Sequence, residues 1–402
     1  MTDSVVIVGA GEAGGQTAIS LRQGGYSGPV TVIGDEPHIP YERPALSKQF
    51  LAGELDMERL YLRARAFYDE RDIALKLGER VNAIAPGQNI TMAEGDVIPA
   101  QSIVMATGGR ARTLPINGTE LGGVHYLRTI DDVLAFRDAL KPNIKLAIVG
   151  GGYIGLEVAA VATKLGCAVT VLEMTNRVLN RVAAPVISEF YTHVHREAGV
   201  DIRTDITVSG FEGDTTVKQV VCTNGTKIDA DVVIIGIGII PNVELAEAAG
   251  LAIDNGITVD AMTQTSAENV YAVGDCTNHP NELLGRRLRL ESVQNALSQG
   301  KAAASAMLGK TEPYAEIPWF WSDQYDIKLQ MVGINDPDDQ IIVRGDPQTR
   351  SFSVCYIRDG VLVAVNAMNR PKDFLHAKKA IAAKIAPDSR RLADAEIAIK
   401  DL

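Results

Sequence analysis

The sequence predicts an α/β protein in which two βαβ units are followed by a smaller α+β domain. Three observations lead to this prediction. A β-branched, apolar segment at 4–8 runs directly into a glycine-rich turn, 9–14, and a helix-compatible segment. The same order of strand, glycine-rich turn and helix returns at 145–165. From about Tyr314 the glycine-rich turns stop and short β-like runs begin.

Composition limits the classes of protein that this chain can represent. Its 402 residues, 46% hydrophobic and 22% charged, suggest two or three packed domains. The net charge of -11 argues against sequence-independent nucleic-acid binding, which depends on basic side chains. The longest strongly apolar run, 232–240, is too short to span a bilayer and is typical of a buried strand. A strand that begins by Val5 leaves no room for a signal peptide, so we expect a cytoplasmic protein without membrane insertion.

The cysteines are widely spaced and have no C-x-x-C pattern. We therefore expect no metal or iron–sulfur site and four reduced thiols that pack as small apolar groups. They are Cys167, Cys222, Cys276 and Cys355.

The first glycine-rich turn has the spacing of a dinucleotide-binding motif. Gly9 permits the tight turn, Gly11 lets the backbone approach a pyrophosphate, and Gly14 lets the helix pack on the strand. The helix N-terminus offers N–H groups to the phosphates. The next predicted strand ends at Asp35 and Glu36, about 20 residues beyond the glycines, where an acidic side chain can bind a ribose diol. We assign this role to Asp35.

The second turn repeats the pattern with Gly150, Gly152 and Gly155, and Glu173 follows the next predicted strand. Glu173 would bind a free 2′-hydroxyl and repel a 2′-phosphate, so this site should prefer NAD over NADP. We interpret Arg177, a few positions later, as a surface or helix-start charge. Two such sites suggest a bound flavin and an exchanging nicotinamide, because hydride transfer needs a donor and an acceptor.

Further strand-and-turn landmarks indicate the family. The sequence has Ala-Thr-Gly-Gly at 106–109, Gly-Ile-Gly at 236–238 and Gly-Asp at 274–275, each after an apolar segment. In this order they resemble the glutathione reductase-type flavoproteins, which have two Rossmann-like dinucleotide-binding domains and an α+β C-terminal interface domain. The resemblance implies that the first turn binds FAD and the second NADH. It also implies a discontinuous FAD domain, 1–107 and 235–313, an NADH domain, 108–234, and an interface domain, 314–402.

Segment 38–48 distinguishes branches of this family, because disulfide reductases need a cysteine there and this segment has none. Segments 43–48, 126–129, 291–296 and 318–324 resemble putidaredoxin reductase-like, NADH-dependent ferredoxin reductases of cytochrome P450 and ring-hydroxylating dioxygenase systems. The resemblance implies hydride transfer from NADH to FAD and then single-electron transfer to a [2Fe–2S] ferredoxin.

The resemblance also assigns site residues. Lys48 would stabilise negative charge on the reduced flavin, with Glu157 as its partner, because a buried lysine without a counter-charge tends to lose its proton. Tyr153 would cover the flavin face until nicotinamide displaces it. Besides the glycines, the expected FAD contacts are Ala13, Asp35, Arg43, Lys48, Val81, Arg128, Asp275, Val293 and Trp321. The expected NADH contacts are Gly150, Gly152, Ile154, Gly155, Glu157 and Glu173.

The C-terminal region predicts strands at 328–332, 340–344, 352–357 and 361–366 and a helix at 371–385. Trp319 and Trp321 either pack as core residues or border the flavin edge.

A ferredoxin is acidic and this chain is acidic too, so docking would need a local basic patch. The alternative for such a charge cluster is a solvated loop. The candidates are Arg63, Arg65, Arg286, Arg287 and Arg289.

Two other functions are weighed against ferredoxin reduction. NADH oxidases and peroxidases share the broad fold but usually need the redox cysteine that is missing near Ser47 and Lys48. A flavoprotein that senses NAD, resembling apoptosis-inducing factor, predicts a targeting sequence or a long insertion in the third domain. Neither feature is visible in the sequence.

Overall fold

A computed structural model describes residues 4–402. The chain divides into two compact units. Unit 1 contains the chain up to Arg43, Met57–Arg110 and Ile240–Pro318, and unit 2 contains Pro44–Asp56, Ala111–Ile239 and Trp319–Leu402. The predicted division into three domains stays a prediction. None of the helices within 4–402 has both the length and the apolar character needed to cross a membrane.

Within residues 4–402, strands often follow one another directly, and helices separate these runs of strands. The strands are β1 Val5–Val8, β2 Val30–Gly34, β3 Ile73–Leu77, β4 Val81–Ala85, β5 Asn89–Met92, β6 Val97–Pro99, β7 Ser102–Met105, β8 Gly109–Ala111, β9 Val124–Tyr126, β10 Lys145–Val149, β11 Ala168–Leu172, β12 Asp201–Arg203, β13 Val208–Gly213, β14 Val217–Cys222, β15 Lys227–Asp229, β16 Val232–Ile235, β17 Ile239–Pro241, β18 Ile257–Thr258, β19 Val270–Ala272, β20 Thr277–Asn281, β21 Arg286–Leu288, β22 Trp319–Gln324, β23 Ile327–Gly333, β24 Gln340–Asp346, β25 Ser351–Arg358 and β26 Val361–Met368. The α-helices are α1 Glu12–Gln23, α2 Met57–Leu60, α3 Arg65–Asp69, α4 Ile130–Phe136, α5 Tyr153–Lys164, α6 Pro185–Glu197, α7 Glu244–Ala248, α8 Val293–Met307, α9 Pro371–Ala382 and α10 Ser389–Ala393.

Unit 1 is built on a five-stranded parallel sheet in the order β19-β7-β1-β2-β3. All four residues of β1 are buried, as expected for a central parallel strand with neighbours on both faces. Helix α1 follows β1 and packs on α8, where Gly300 permits close approach because a Cβ there would lie 2.8 Å from the Ala13 carbonyl oxygen. The carboxyl end of β1 thus leads directly into the first glycine-rich turn.

Unit 2 contains a second five-stranded parallel sheet, in the order β12-β11-β10-β16-β9. Strand β10 lies between β11 and β16, so its carboxyl end, the start of α5 and the end of β11 meet at one edge. The apolar run 232–240, typical of a buried strand, contains the Gly-Ile-Gly turn that was predicted at 236–238. It forms β16 and β17, because Gly238 turns the chain between them with a φ of +101°.

The C-terminal part of unit 2 is an antiparallel sheet in the order β22-β23-β26-β25-β24, with α9 packed on β26 and β23. The predicted strands are present and each is longer than predicted. Strand β22 is an additional strand, and the predicted helix 371–385 ends at Ala382.

A buried arginine ties this sheet to the last part of the chain. The Arg344 guanidinium on β24 lies 3.0 Å from the Asp373 carboxylate of α9 and is 1% exposed. It also donates hydrogen bonds to four backbone carbonyls, so its charge is fully engaged inside the fold. These carbonyls belong to Leu392, Asp394, Ala395 and Ile397.

Candidate nucleotide sites and a buried ion pair

The first glycine-rich turn is held by backbone contacts that exclude side chains at two of its three positions. Gly9 has a φ of +121°, and a Cβ there would lie 2.0 Å from the Ala106 carbonyl oxygen. A Cβ on Gly14 would lie 2.0 Å from the Gly9 carbonyl oxygen. A Cβ on Gly11 would meet no atom within 4 Å. Packing therefore requires the first and third glycines, and the middle one borders open space.

The second turn shows the same division. A Cβ on Gly150 would lie 2.4 Å from the Gly236 carbonyl oxygen, and one on Gly155 would lie 2.2 Å from the Gly150 carbonyl oxygen. A Cβ on Gly152 would again meet nothing within 4 Å. The two turns therefore have the same steric design although they belong to different units.

Both open spaces lie at the start of a twelve-residue helix. Gly11 and Gly152 are the N-caps of α1 and α5, and neither has a side chain that could cap the first N–H groups. Free N–H groups and the helix dipole favour an anionic group at this position. Each turn therefore fits the pyrophosphate of a dinucleotide.

The acidic residues that follow the two turns are used differently. One Glu173 oxygen accepts a hydrogen bond from the Gly151 N–H at 2.8 Å, and the other accepts from the N–H and hydroxyl of Thr175. A carboxylate has about four acceptor sites, so one remains for a ribose hydroxyl. In unit 1, Asp35 is exposed, while Glu36 pairs with Arg43 at 2.5 Å.

Arg177 was interpreted from the sequence as a surface or helix-start charge. The guanidinium is half-buried and donates to the Ala183 carbonyl at 2.8 Å and the Ser188 hydroxyl at 2.6 Å. It also donates to the Asn180 carbonyl. Arg177 thus holds the loop before α6, which agrees with the helix-start alternative, and its internal acceptors contradict the surface alternative.

Lys48 and Glu157 form a buried ion pair within unit 2. The Lys48 Nζ lies 2.6 Å from the Glu157 Oε2, and Glu157 is 3% exposed. The Ser47 hydroxyl donates to the same oxygen at 2.5 Å, and the Ser322 hydroxyl donates to Oε1 at 2.6 Å. The sequence-based pairing of Lys48 with Glu157 is therefore present, with two serines that sequence reasoning missed.

The hydrogen bonds continue beyond Ser322 to side chains that were also missed. Gln324 donates to Ser322 at 3.1 Å and contacts His195 at 2.9 Å. Trp319 and Trp321 lie on one face of β22, and Ser322 and Gln324 lie on the opposite face. The two polar side chains are fully buried, whereas the two tryptophans are partly exposed. Two polar residues at alternate positions of an aromatic strand were the available signal for this network.

Tyr153, the first residue of α5, lies against the C-terminal sheet. Its hydroxyl donates to the Met331 Sδ at 3.1 Å, and its ring centroid lies 5.2 Å from that of Phe320. Burial raises the pKa of the Tyr153 phenol, so the hydroxyl stays protonated. The neighbouring Ile154 is exposed. The predicted contact of Tyr153 with a flavin stays a prediction.

The two tryptophans pack on each other, with ring centroids 5.7 Å apart, and Trp319 also packs on Phe374. Both remain partly exposed. Packing thus accounts for part of each indole surface, and the predicted FAD contact of Trp321 is untested.

The other predicted FAD contacts lie close to the ends of elements, where backbone groups are available. Val81 begins β4, Val293 begins α8, and Asp275 lies three residues beyond the end of β19. Ala13 lies in the first turn of α1. In unit 2, Arg128 precedes α4 and its backbone N–H donates to Asp132. Their contacts with FAD also stay predictions.

The predicted basic patch is smaller than its sequence suggests. Arg287 donates to the Val259 and Asn278 carbonyls, and Arg289 pairs with Glu291 at 2.6 Å. These two arginines hold loop structure within unit 1, and Arg286 is half-buried. Arg63, which lies over the Phe67 ring, and Arg65, which pairs with Asp69, are exposed, and so is Arg287 apart from its bonded guanidinium.

Comparisons with known proteins agree with the geometry. The family model for pyridine nucleotide-disulphide oxidoreductases matches residues 3–300, and the reductase C-terminal model matches residues 319–402. Putidaredoxin reductase of Pseudomonas putida is 44% identical, with 100% of this chain and 96% of the relative covered. A ferredoxin–NAD(P)(+) reductase of a Sphingomonas species is 46% identical, with 96% and 94% covered.

Solved structures give the same result. The putidaredoxin reductase–putidaredoxin complex matches with a TM-score of 0.96 at 44% identity, covering 99% of this chain and 97% of that one. The ferredoxin reductase of the CYP199A2 system from Rhodopseudomonas palustris matches with a TM-score of 0.95 at 37% identity, with 99% of each chain covered. The predicted fold class is therefore confirmed. The chain belongs to the pyridine nucleotide-disulphide oxidoreductase family and, within it, to the putidaredoxin reductase-like ferredoxin reductases.

Proposed function

We propose that this chain is an NADH-dependent ferredoxin reductase that feeds a cytochrome P450 or a ring-hydroxylating dioxygenase. The carrying observation is the presence of two pyrophosphate-fitting turns in one chain, since one dinucleotide must donate a hydride and another must accept it. The family's ferredoxin reductases use FAD and NADH. When bound, the flavin accepts an electron pair and releases single electrons, as a one-electron [2Fe–2S] partner requires.

The chain's own residues hold and orient these two cofactors. The turn with Gly9, Gly11 and Gly14 would hold the FAD pyrophosphate, and the turn that contains Gly152 would hold that of NADH. Glu173, fixed by Gly151 and Thr175, would present its remaining acceptor site to the NADH ribose.

The Lys48–Glu157 pair would act at the point of hydride transfer. The largely buried Lys48 ammonium lies 2.6 Å from the Glu157 carboxylate, and a fixed positive charge stabilises negative charge that develops nearby. Glu157 would also accept a hydrogen bond from the nicotinamide amide. Ser47 and Ser322 keep both carboxylate oxygens oriented.

The partner is a [2Fe–2S] ferredoxin, in keeping with relatives that are reductase components of oxygenase systems. One such relative is the ferredoxin–NAD(+) reductase component of the anthranilate 1,2-dioxygenase system of Burkholderia cepacia, 42% identical over 99% of this chain and 98% of its own length. The two alternatives, an oxidase or peroxidase and an NAD-sensing flavoprotein, have no support among these relatives. We further propose that the exposed Arg63 and Arg65 contribute to ferredoxin docking, and that the protein is cytoplasmic.

The activity test uses the purified flavoprotein. NADH should bleach the flavin absorbance, and the reduced protein should then reduce a [2Fe–2S] ferredoxin faster than it reduces oxygen or a disulfide. Stopped-flow absorbance measures the first step and ferredoxin absorbance the second. Rapid oxygen consumption with no ferredoxin reduction would favour the oxidase alternative.

The role of Lys48 is tested by Lys48→Met, which keeps the length of the side chain and removes its charge. We expect the rate constant for flavin reduction by NADH to fall about tenfold or more, because a fixed positive charge is lost. The control is Lys145→Met, which removes an exposed lysine paired with Asp229 in the same unit. An unchanged rate constant in Lys48→Met would remove the assigned role.

A further inference from the structure

The Glu157 carboxylate lies at one end of a hydrogen-bonded chain inside unit 2. The Tyr325 hydroxyl lies 3.1 Å from His195 Nδ1, and His195 Nε2 lies 2.9 Å from Gln324 Oε1. Gln324 Nε2 lies 3.1 Å from the Ser322 Oγ, which lies 2.6 Å from Glu157 Oε1. His195, Gln324 and Ser322 are buried, so water does not compete for these bonds. The chain links α6 to α5 through β22.

All hydrogen bonds of this series run in one direction, from the Tyr325 hydroxyl toward the Glu157 carboxylate. An amide oxygen only accepts, so the bond to Gln324 Oε1 requires the proton of His195 on Nε2, and Nδ1 then accepts from the Tyr325 hydroxyl. The amide nitrogen of Gln324 only donates, so Ser322 accepts there and its single proton goes to Glu157. Each group thus donates toward the carboxylate.

Removal of the His195 N–H would remove the group that fixes the orientation of the Gln324 amide. No hydrogen bond would then hold the Gln324 oxygen toward α6. If the amide rotates by half a turn, its oxygen faces Ser322. The serine hydroxyl would then donate to the amide instead of to Glu157 Oε1. A buried acceptor that loses its donor is costly, so the carboxylate would leave its position against Lys48.

We propose that His195 is a positioning residue that fixes the Gln324 amide, the Ser322 hydroxyl and, through them, the Glu157 carboxylate. The inference rests on the proposed role of Lys48 and Glu157 in flavin reduction. Burial lowers the pKa of His195, which agrees with the neutral, singly protonated ring that this pattern needs. The Gln324 amide keeps its protons, so this series of hydrogen bonds orients side chains and does not conduct protons.

The first test compares three variants on α6. His195→Leu removes the donor, whereas His195→Gln keeps an N–H at nearly the same reach. Tyr191→Phe is the matched control, because Tyr191 lies one turn earlier, is equally buried, and its hydroxyl has no hydrogen-bond partner among residues 4–402. We expect His195→Leu to lower the rate constant for flavin reduction about fivefold, with the other two near the parent value.

A second test asks whether His195 acts through Glu157. In a Glu157→Gln background, His195→Leu should cause no further loss of the flavin reduction rate. Equal losses in both backgrounds would overturn the proposal, because they would mean a general structural effect. If His195→Leu does not fold, Gln324→Met serves in the same two backgrounds with the same expected result.

A third test determines which nitrogen of His195 is protonated, without measuring catalysis. ¹⁵N NMR of histidine-labelled holoenzyme, with the His195 signal identified by its absence in His195→Gln, should report a neutral ring protonated at Nε2 at neutral pH. A ring protonated at Nδ1, or at both nitrogens, would overturn the proposal. If Glu157→Gln alone leaves flavin reduction unchanged, the proposed role of the ion pair fails, whereas the NMR result still decides the direction of the chain.

Discussion

The two glycine-rich turns have the same backbone design and different side-chain surroundings. In each, the first and third glycines pack against carbonyl oxygens and the middle glycine borders open space. The acidic side chains differ, because Glu173 is bonded into its own turn and Asp35 is exposed while Glu36 pairs with Arg43. Steric constraints that form a pyrophosphate site are thus common to both turns, and the acidic residues distinguish them.

The largest expected effect concerns the third glycines. Gly14→Ala and Gly155→Ala each place a Cβ within 2.2 Å of a backbone oxygen, which cannot move as a flexible side chain would. We expect each to lower the free energy of unfolding by about 3 kcal/mol, measured by denaturant titration. A loss in only one variant would show that the two turns are not equivalent.

Smaller and separable effects are expected at the middle glycines. Gly11→Ala should weaken FAD retention with little change in the KM for NADH, and Gly152→Ala should raise that KM about tenfold, equivalent to about 1.4 kcal/mol of binding. Neither should alter the free energy of unfolding, because no atom lies within 4 Å of the added Cβ. Flavin titration of the apoprotein and steady-state kinetics measure the two affinities. A lower free energy of unfolding in either variant would contradict the finding that a Cβ at these positions meets no atom.

Effects no larger than those at the middle glycines are expected from the acidic residues. Glu173→Gln should reduce the preference for NADH over NADPH about tenfold, because it removes the charge that repels a 2′-phosphate. Asp35→Asn should leave this preference unchanged and weaken FAD binding about threefold, the loss of one exposed hydrogen bond. The ratio of kcat/KM values for the two nucleotides is the measurement. An unchanged ratio in Glu173→Gln would remove its role in selection.

The parts of the fold that follow from local rules could be predicted from the sequence. The sequence predicts strands at 102–105, 145–149 and 168–172, and β7, β10 and β11 have these bounds, because short apolar runs that end at a turn leave little choice of structure. The end of β16 before the Gly-Ile-Gly turn at 236–238 follows from the same rule, whereas the short β17 after that turn was not predicted. The helices were predicted to begin at Gly15 and Leu156, and α1 and α5 begin three residues earlier, since a glycine N-cap gives no side-chain signal.

The candidate site was predictable only in part. Lys48 and Glu157 could be paired through family resemblance, although 109 positions separate them in the sequence. His195 could not be found in this way, because its contact with Gln324 joins residues 129 positions apart in different elements. The contacts of Arg177 were missed for a different reason: its acceptors are near in the sequence, but they are backbone carbonyls and a hydroxyl, uncharged groups that the sequence does not mark as partners of an arginine.

The buried contacts of Arg344 have a consequence for folding during biosynthesis. Its guanidinium, buried on β24, needs carbonyl groups from residues 392–397. During translation the sheet strands emerge first, and the charge has only Asp373 and water as partners until those residues have been synthesised. The C-terminal sheet can therefore close only after residues 392–397 have been synthesised, and ribosomes stalled before residue 392 should display it in a protease-sensitive form.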